Sequence, residues 1–232
     1  MVLIKNGDLE LSIILPCRDE EKAIGGCLRQ IKEVLADCHI DAEVIVSDSS
    51  TDCSPQITRS QGIILVKHDK EGYGTAYLEG FKAACGKYVF CADPDGSYDF
   101  NEIPRFLECL RRGDDFVIGN RFKGRISPGA MPWLHQYIGN PLFSFLLRLF
   151  FRTKISDVHC GMRAISREAL DKLHLRTLGM EFASEWVIKA VKKGLKIKEL
   201  PVNYYCRQGK SKLRSFVDGW RHLRFMLLYS PL

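Results

Sequence analysis

The chain has 232 residues, of which 46% are hydrophobic and 27% charged, which is typical of a soluble domain with a core of its own. No stretch reaches 18 consecutive apolar residues, and the N-terminal segment lacks the features of a signal peptide, so we expect the chain as given to be neither secreted nor membrane-spanning. Nine scattered cysteines without a CxxC pair argue against a disulfide framework or a zinc site, and they fit a reducing cytosol.

The net charge of +6 is concentrated in two segments. Segment 121–154 holds six lysines or arginines and no acidic residue, and segment 203–232 holds six against the single Asp218. The rest of the chain is therefore net acidic. This separation predicts two basic surfaces that meet an anionic partner, and it argues against a uniformly basic nucleic-acid-binding coat.

The first half of the chain alternates short apolar runs with helical patterns. Residues 11–16, LSIILP, predict a strand, and apolar residues at helical spacing from Ala23 to Leu35 predict the helix that follows. Further strands are predicted over 43–48, 62–68, 87–93 and 114–120, and further helices are predicted to begin near Asp52, Gly74 and Asn101. This alternation predicts an α/β fold with a mostly parallel sheet covered by helices on both faces.

Polar side chains follow the predicted strands at the points where the strands end. They are Arg18, Asp19, Asp48, His68, Asp93, Asp95, Asn120 and Arg121. Parallel strands end at the same edge of a sheet, so we expect these side chains to gather there. That edge is where open α/β sheets bind ligands.

Two later segments are predicted to be amphipathic helices. Over residues 141–152 a thin polar stripe of Ser144, Arg148 and Arg152 runs along an otherwise apolar helix. Over residues 212–228 an apolar face is flanked by basic residues, and that face consists of Leu213, Phe216, Val217, Trp220, Leu223 and Leu227. Both helices are candidates to lie in a membrane interface, and the alternative is that each packs on the sheet as an ordinary core helix.

The acidic run DPDGSYD after the fourth predicted strand needs a compensating cation, a donor network or open water. A calcium loop is disfavoured because Tyr98 and Pro104 occupy the positions where that loop requires glycine and glutamate. Asp99 is expected to cap the helix that follows. Asp93 and Asp95 suit a divalent cation whose coordination is completed by the phosphates of a substrate.

Several motifs then occur together in one order. They are PCRDE, IVSDSSTD, EGYGTAYLEGFKAACGKY, DPD, GNRF, DVHCGMRAISREAL, MEFASEWVIKA and GKSKL. Together they resemble glycosyltransferase family two, in the branch that includes dolichyl-phosphate mannosyltransferases and bacterial polyprenyl-phosphate glycosyltransferases. The resemblance covers roughly residues 10–228 and implies a GT-A fold. It implies a catalytic domain over 1–210, including an acceptor loop and interfacial helix over 121–154, and a basic amphipathic juxtamembrane segment over 211–232.

The resemblance also implies roles for individual residues. The residues matched to substrate binding are Pro16, Glu20, Asp48, Gly72, Gly74, Ala76 and Asp93, with Arg207 and Lys212 from a basic C-terminal loop. Arg18, which stands where relatives often have an aromatic residue, is also expected to bind the substrate. The implied ligands of a Mg²⁺ or Mn²⁺ cofactor are Asp93, Asp95 and Ser97, and the implied catalytic residues are Asp95, Arg121 and Asp157. The chain departs from the family's pattern at Arg18, Ser47, Ser49, His135 and Gln136.

The implied function is inverting transfer of a hexose from a nucleotide-diphosphate sugar to a polyprenyl phosphate, dolichyl or undecaprenyl. A phosphate monoester is largely a dianion near neutral pH, so this acceptor barely needs a general base. Asp157 is therefore expected to orient other groups, although a role as the base stays open. The enzymatic alternative is a saccharide acceptor, and the non-enzymatic one is a membrane-bound nucleotide-binding scaffold with a dead site.

A lipid acceptor and the two basic segments imply action at the cytoplasmic face of a membrane. The C-terminal residues FMLLYSPL are apolar and have no helix-stop signal, so we expect the natural chain to continue into transmembrane helices. The expected partners are a nucleotide-sugar donor, a polyprenyl-phosphate acceptor and the membrane surface, without nucleic acid.

Overall fold

The computed structural model describes residues 9–209, 211–212 and 215–229. Its strands are β1 (Leu11–Cys17), β2 (Ala42–Asp48), β3 (Ile64–Lys67), β4 (Tyr88–Cys91), β5 (Phe116–Asn120), β6 (Arg163–Ser166) and β7 (Ile197–Pro201). They form one sheet in the order β3-β2-β1-β4-β6-β5-β7. Leu213 and the last three residues of FMLLYSPL lie outside the described residues.

Helices cover both faces of this sheet. They are α1 (Ile24–Asp37), α2 (Ser54–Ser60), α3 (Tyr73–Ala83), α4 (Ile103–Arg111), α5 (Asn140–Phe151), α6 (Arg167–Leu173), α7 (Phe182–Lys192) and α8 (Ser215–Tyr229). A 3-10 turn at Phe100–Glu102 leads into α4, and a π-helical turn at His135–Gly139 leads into α5. The helices predicted over 23–35, near Asp52, Gly74 and Asn101, over 141–152 and over 212–228 are therefore present, together with α6 and α7.

The strand β1 lies inside the sheet and is apolar on both faces. Ile13, Ile14 and Leu15 are fully buried, as expected for a parallel strand that is covered from both sides. The strand pairs in parallel with β2 and β4, and Ile14 lies opposite Ile45 in one pair and Cys91 in the other. The predicted parallel arrangement is confirmed for the first half of the chain.

The second half of the sheet contains a reversal that the sequence pattern did not indicate. β6 runs antiparallel between β4 and β5, and β7 continues the sheet in parallel beyond β5. An antiparallel strand begins at the edge where its neighbours end. The loop before β6, residues 156–162, therefore lies at the carboxyl ends of β4 and β5. This reversal brings Asp157 to the edge that Asp93 and Arg121 occupy.

Aromatic side chains fill the space between α3, α7 and the sheet. The ring of Tyr77 stacks on Phe182 with 5.6 Å between centroids, and Trp186 stacks on Phe116 at 5.7 Å. All four side chains are nearly inaccessible to solvent. Burial of an apolar side chain of this size contributes roughly 1.5–3 kcal/mol. The cluster therefore holds α7 firmly on the sheet.

The helices α5 and α8 pack against each other and against α7, and each leaves one face exposed. Leu147 of α5 and Met226 of α8 are fully buried. The exposed apolar residues of these helices and of the segment before α5, here called the outer face, are Trp133, Leu134, Tyr137, Ile138, Leu142, Phe145, Leu149, Phe216, Val217, Trp220, Leu227 and Leu228. Neither these helices nor any other in the described ranges has the length and hydropathy of a membrane span.

Candidate active site

The DPD motif lies directly after β4, at the carboxyl edge of the sheet. Asp95 is buried, and its Oδ1 accepts hydrogen bonds from the backbone amide of Ser97 at 2.9 Å and from the Ser97 hydroxyl at 2.5 Å. Asp99 accepts from the amide of Asn101 at 3.0 Å and begins the turn before α4, as predicted. The Ser97 hydroxyl is thus directed at Asp95, and its role as a metal ligand stays a prediction.

The negative charge of Asp93 is only partly compensated by its surroundings, Arg207 and Tyr73. The side chain is half-buried, and burial, followed by the negative charge of Asp95, raises the pKa of Asp93 to about 7. A neighbouring cation would relieve both effects. The described residues contain no group of three or more His, Cys, Asp or Glu suited to a metal ion. However, Mg²⁺ usually takes one or two carboxylates and completes its shell with phosphates and water, so Asp93 and Asp95 fit a cation that arrives with a phosphorylated substrate.

The C-terminal loop closes over this motif. The guanidinium of Arg207 donates to Glu20 at 3.0 Å and lies 3.4 Å from Oδ2 of Asp95. Lys212 donates to the same oxygen of Glu20 at 2.5 Å, and the amide of Gln208 donates to the carbonyl oxygen of Asp95 at 2.7 Å. The structure therefore brings together four of the predicted site residues, and Arg207 is the cation that faces the carboxylate of Asp95.

Glu20 accepts hydrogen bonds from both basic residues of this loop, Arg207 and Lys212. It is 6% exposed, and burial raises its pKa while Lys212 and Arg207 oppose that shift. Its Oε2 atom is buried without a hydrogen-bond partner. A buried carboxylate oxygen without a donor makes the charged form of Glu20 less favourable, in the same direction as the raised pKa.

A groove of about 640 Å³ opens at the ends of β1, β2 and β3. Its lining residues are Arg18, Asp19, Ser49, Ser50, Thr51, Lys67, His68, Asp69 and Glu71. Asp48, fully buried beside it, accepts from the ammonium of Lys67 at 2.7 Å and from the hydroxyl of Ser50 at 2.5 Å. At the rim, Arg18 pairs with Glu71 at 2.7 Å. The groove has a size suited to part of a nucleotide, and the buried carboxylate of Asp48 beside it is held in place by two donors.

Gly72 and Gly74 make a close approach to another part of the chain. A Cβ at Gly72 would lie 2.3 Å from the carbonyl oxygen of Leu178, and one at Gly74 would lie 2.1 Å from that of Thr177. The amide of Gly74 donates to the carbonyl of Gly179 at 3.3 Å. The two glycines therefore allow the start of α3 to dock onto segment 177–179, and their approach to a substrate stays a prediction.

Three further residues support this frame. Pro16 lies on β1 opposite Ser47 of β2, beyond Ile14, the last residue of β1 that pairs with β4. Proline has no amide hydrogen, but at this position the hydrogen-bond ladder between β1 and β4 loses no bond. Ala76 is buried in the first turns of α3. Glu185, also buried, accepts from the hydroxyl and the amide of Thr177 at 2.6 and 2.8 Å and so fixes the segment that α3 contacts.

The substitution Gly74→Ala is expected to lower the free energy of unfolding by about 1–3 kcal/mol, because the new methyl group would force segment 177–179 away from α3. Urea denaturation followed by circular dichroism measures the effect. Gly26→Ala is the matched control, since a Cβ there meets only the end of the Arg29 side chain, at 4.0 Å. That change in the first turn of α1 should stabilise by no more than about 0.5–1 kcal/mol. Equal stability of the two variants would contradict the proposed clash.

Arg121 and Asp157 form a buried, bidentate ion pair. Nε and Nη2 of Arg121 donate to the two carboxylate oxygens at 2.8 and 2.7 Å, and the backbone amide of Arg121 adds a third bond at 2.9 Å. The side chains are 7% and 0% exposed. The guanidinium lies 5.1 Å from the ring centroid of Tyr204. Both oxygens of Asp157 serve Arg121, which supports the orienting role over that of a free base.

Several residues of the site were missed at the level of sequence. Glu199 of β7 accepts from the amides of Ser156 and Asp157 at 2.7 and 3.1 Å and so anchors the loop before β6. It belongs to a strand that was not predicted. Tyr204 follows that strand and packs under Arg121. The contact of Lys67 could have been predicted from the sequence. Lys67 ends β3, which lies beside β2, and its ammonium can therefore reach the carboxylate of Asp48, which ends β2.

Comparison with known proteins extends these observations. Residues 12–174 match the family described as "Glycosyl transferase family 2". The low-salt glycan biosynthesis hexosyltransferase Agl6 of Haloferax volcanii is 45% identical over 222 residues, which are 95% of this chain and 54% of Agl6. This chain thus spans about half the length of that relative. The dolichyl-phosphate hexose transferase of the same organism is 32% identical over 90% of this chain and 89% of its own.

Solved structures of glycosyltransferases have the same fold as this chain. Glucosyl-3-phosphoglycerate synthase from Mycobacterium tuberculosis, crystallised with Mn²⁺, UDP and glucosyl-3-phosphoglycerate, superposes with a TM-score of 0.77 over 97% of this chain and 81% of its own, at 20% sequence identity. Mannosyl-3-phosphoglycerate synthase from Rubrobacter xylanophilus superposes with a TM-score of 0.73 over 94% of this chain and 74% of its own. The predicted GT-A fold is confirmed. With a family match over most of its length and two relatives above 30% identity across at least nine tenths of it, the chain belongs to glycosyl transferase family 2.

Proposed function

We propose that this glycosyltransferase moves a hexose from a nucleotide-diphosphate sugar to a polyprenyl phosphate at a membrane surface. The observation that carries the proposal is the position of the outer face beside the candidate active site. Ser144 and Asn140 of α5 hydrogen-bond to Val158 and His159, which directly follow Asp157. An aromatic surface next to the transfer site suits a lipid acceptor and has no evident use for a soluble saccharide. The similarity to a dolichyl-phosphate hexose transferase supports the same choice.

In this proposal the donor lies in the groove beside Asp48, with its diphosphate directed at the DPD motif. Asp93 and Asp95 would hold Mg²⁺ or Mn²⁺, which supplies electrostatic stabilisation of the negative charge that develops on the leaving diphosphate. Arg207 and Lys212 offset the negative charge of Glu20 and Asp95 at the same place, since both pair with Glu20 and Arg207 also faces Asp95. Preorganised cations of this kind act without a reorganisation cost at the moment of reaction.

The acceptor end of the site needs little proton transfer. The second pKa of a phosphate monoester is about 6, so the attacking oxygen is already anionic near neutral pH. It displaces the diphosphate from the sugar carbon with inversion, and no proton has to leave the nucleophile. Asp157 then serves by holding Arg121 at a fixed position beside the acceptor phosphate, which agrees with the bidentate pair that the two residues form.

A transfer assay tests the proposal. The protein is incubated with labelled nucleotide sugars, polyprenyl phosphate in detergent and Mn²⁺ or Mg²⁺, and label is counted in the organic phase. We expect label to enter the organic phase from at least one UDP or GDP hexose, and chelation by EDTA to stop the transfer. Transfer only to soluble saccharides would overturn the lipid acceptor, and no transfer from any donor would overturn the proposed reaction.

The outer face is expected to bind anionic membranes through its tryptophans. Trp133 and Trp220 are 66% and 62% exposed. Replacing both by Ala should weaken partitioning into phosphatidylserine vesicles by roughly tenfold or more, because burying one large apolar side chain contributes about 1.5–3 kcal/mol. Co-sedimentation with vesicles measures the effect. Ile64→Ala is the control, since Ile64 is an exposed apolar residue of the edge strand β3, and a similar loss in both variants would rule out a specific outer-face contact.

A further inference from the structure

A chain of buried and half-buried polar side chains joins α8 to the site loop, residues 157–161. Nδ1 of His222 in α8 lies 2.8 Å from Oγ of Ser184 in α7, and that oxygen lies 3.3 Å from Nε2 of His159 in the site loop. Nδ1 of His159 lies 3.3 Å from Oδ1 of Asn140, the first residue of α5. The same hydrogen-bond chain therefore reaches both helices of the outer face.

The protonation states of these groups fix which atom donates and which accepts at each hydrogen bond of this chain of side chains. Burial lowers the pKa of both imidazoles, that of His222 to about 4, so both rings are neutral near pH 7. A neutral imidazole has one donor and one acceptor nitrogen. Because Oδ1 of Asn140 only accepts, Nδ1 of His159 donates to it, and Nε2 of His159 accepts from the hydroxyl of Ser184. The oxygen of Ser184 then accepts from Nδ1 of His222.

The site loop contacts both Arg121 and Asp93 of the candidate active site. At its start, the carboxylate of Asp157 holds Arg121. At its end, Gly161 lies so close to Asp93 that a Cβ there would be 2.4 Å from the carboxylate oxygen. His159 stands between these two contacts, and its ring lies 4.4 Å from the ring of His222, measured between centroids. The two imidazole rings therefore place α8 in contact with the middle of the loop.

We propose that His222, Ser184 and His159 are positioning residues that couple the outer face to the site loop. Contact of α5 and α8 with a membrane sets the position of His159, and thereby the placement of Arg121 and of Gly161 against Asp93. The inference rests on the proposed membrane acceptor. If the three side chains only fill space between helices, their replacement lowers stability but leaves the response of the loop to a membrane unchanged.

Nuclear magnetic resonance of the full chain tests the coupling without relying on turnover. Anionic bicelles are added to ¹⁵N-labelled protein, and the backbone amide of Gly161 and the imidazole nitrogens are followed. We expect both imidazoles to be protonated at Nδ1 and the Gly161 amide to shift when bicelles bind. His222→Phe keeps an aromatic ring and Ser184→Ala removes the central hydroxyl, and each should reduce the Gly161 shift by about threefold or more while binding to bicelles persists.

Val187→Ala is the matched control, since Val187 is a fully buried residue of α7 whose truncation costs stability without breaking the hydrogen-bond chain. It should retain the wild-type shift. A wild-type protein that binds bicelles without a change at Gly161, or variants that keep the full shift, would overturn the coupling. Absence of sugar transfer with an intact Gly161 response would overturn the proposed reaction and leave the coupling standing.

Discussion

The substitution Asp95→Asn is expected to lower kcat/KM for sugar transfer by about 10²–10³-fold, the loss typical of removing one preorganised electrostatic group. Asparagine keeps the shape and can still accept from Ser97, but it loses the charge that would hold a divalent cation. It also loses the attraction for Arg207, whose guanidinium lies 3.4 Å away. Initial rates measured over a range of Mn²⁺ concentrations show whether the loss follows from weaker metal binding.

Asp99→Asn is the matched control for this prediction. It makes the same chemical change four positions along the chain, at a residue that caps a turn by accepting from the amide of Asn101. We expect near wild-type transfer and a loss of no more than about 0.5–1 kcal/mol in unfolding free energy, because asparagine is also a good cap. Full activity of Asp95→Asn would refute the metal assignment, and equal losses in both variants would refute the division of roles within the motif.

The second large effect is expected at the Arg121–Asp157 pair. Removing one partner leaves the other as an unpaired buried charge, which typically costs about 3–5 kcal/mol. Arg121→Met and Asp157→Leu should therefore each lower the free energy of unfolding by this amount. The double variant should be less destabilised than the sum of the two, because no unpaired charge remains. Urea denaturation of the four proteins forms a double-mutant cycle that isolates the interaction.

Activity in the same cycle separates the two roles of Asp157. If Asp157 acts by orienting Arg121, the loss of transfer in the double variant should equal that of Arg121→Met alone. Additive losses would instead identify Asp157 as a base with a role of its own. Arg112→Met is the stability control, because Arg112 pairs with Glu108 one turn earlier on the exposed side of α4, where such pairs contribute only a few tenths of a kcal/mol.

Local patterns were sufficient for the first half of the fold. LSIILP is apolar except for Ser12 because β1 is buried on both faces, and this is the pattern of a central parallel strand. β6 has four residues, RAIS, which is too short to show a period, and β7, IKELP, has two adjacent charged residues and ends in Pro201, as an edge strand can. A short strand is specified by its neighbours rather than by its own sequence, so its direction was not predictable.

The same distinction applies to the site. The carboxylates of the DPD motif are adjacent in sequence, and their position after a strand was enough to predict them as a pair. The partner of Arg121 lies 36 residues away and reaches it only because β6 reverses the chain direction. The contacts of Glu20 with Arg207 and Lys212 likewise depend on how the end of the chain returns to its beginning.

The contacts between Glu20 and the end of the chain can form only late in protein synthesis. Glu20 is separated by 187 and 192 positions from Arg207 and Lys212. Translation adds about 5–20 residues per second, so the carboxylate exists for roughly ten to forty seconds before the ribosome has added its cationic partners. The first part of the pocket to be synthesised is thus among the last to be neutralised, and a chain released before Arg207 would lack both cations that pair with Glu20.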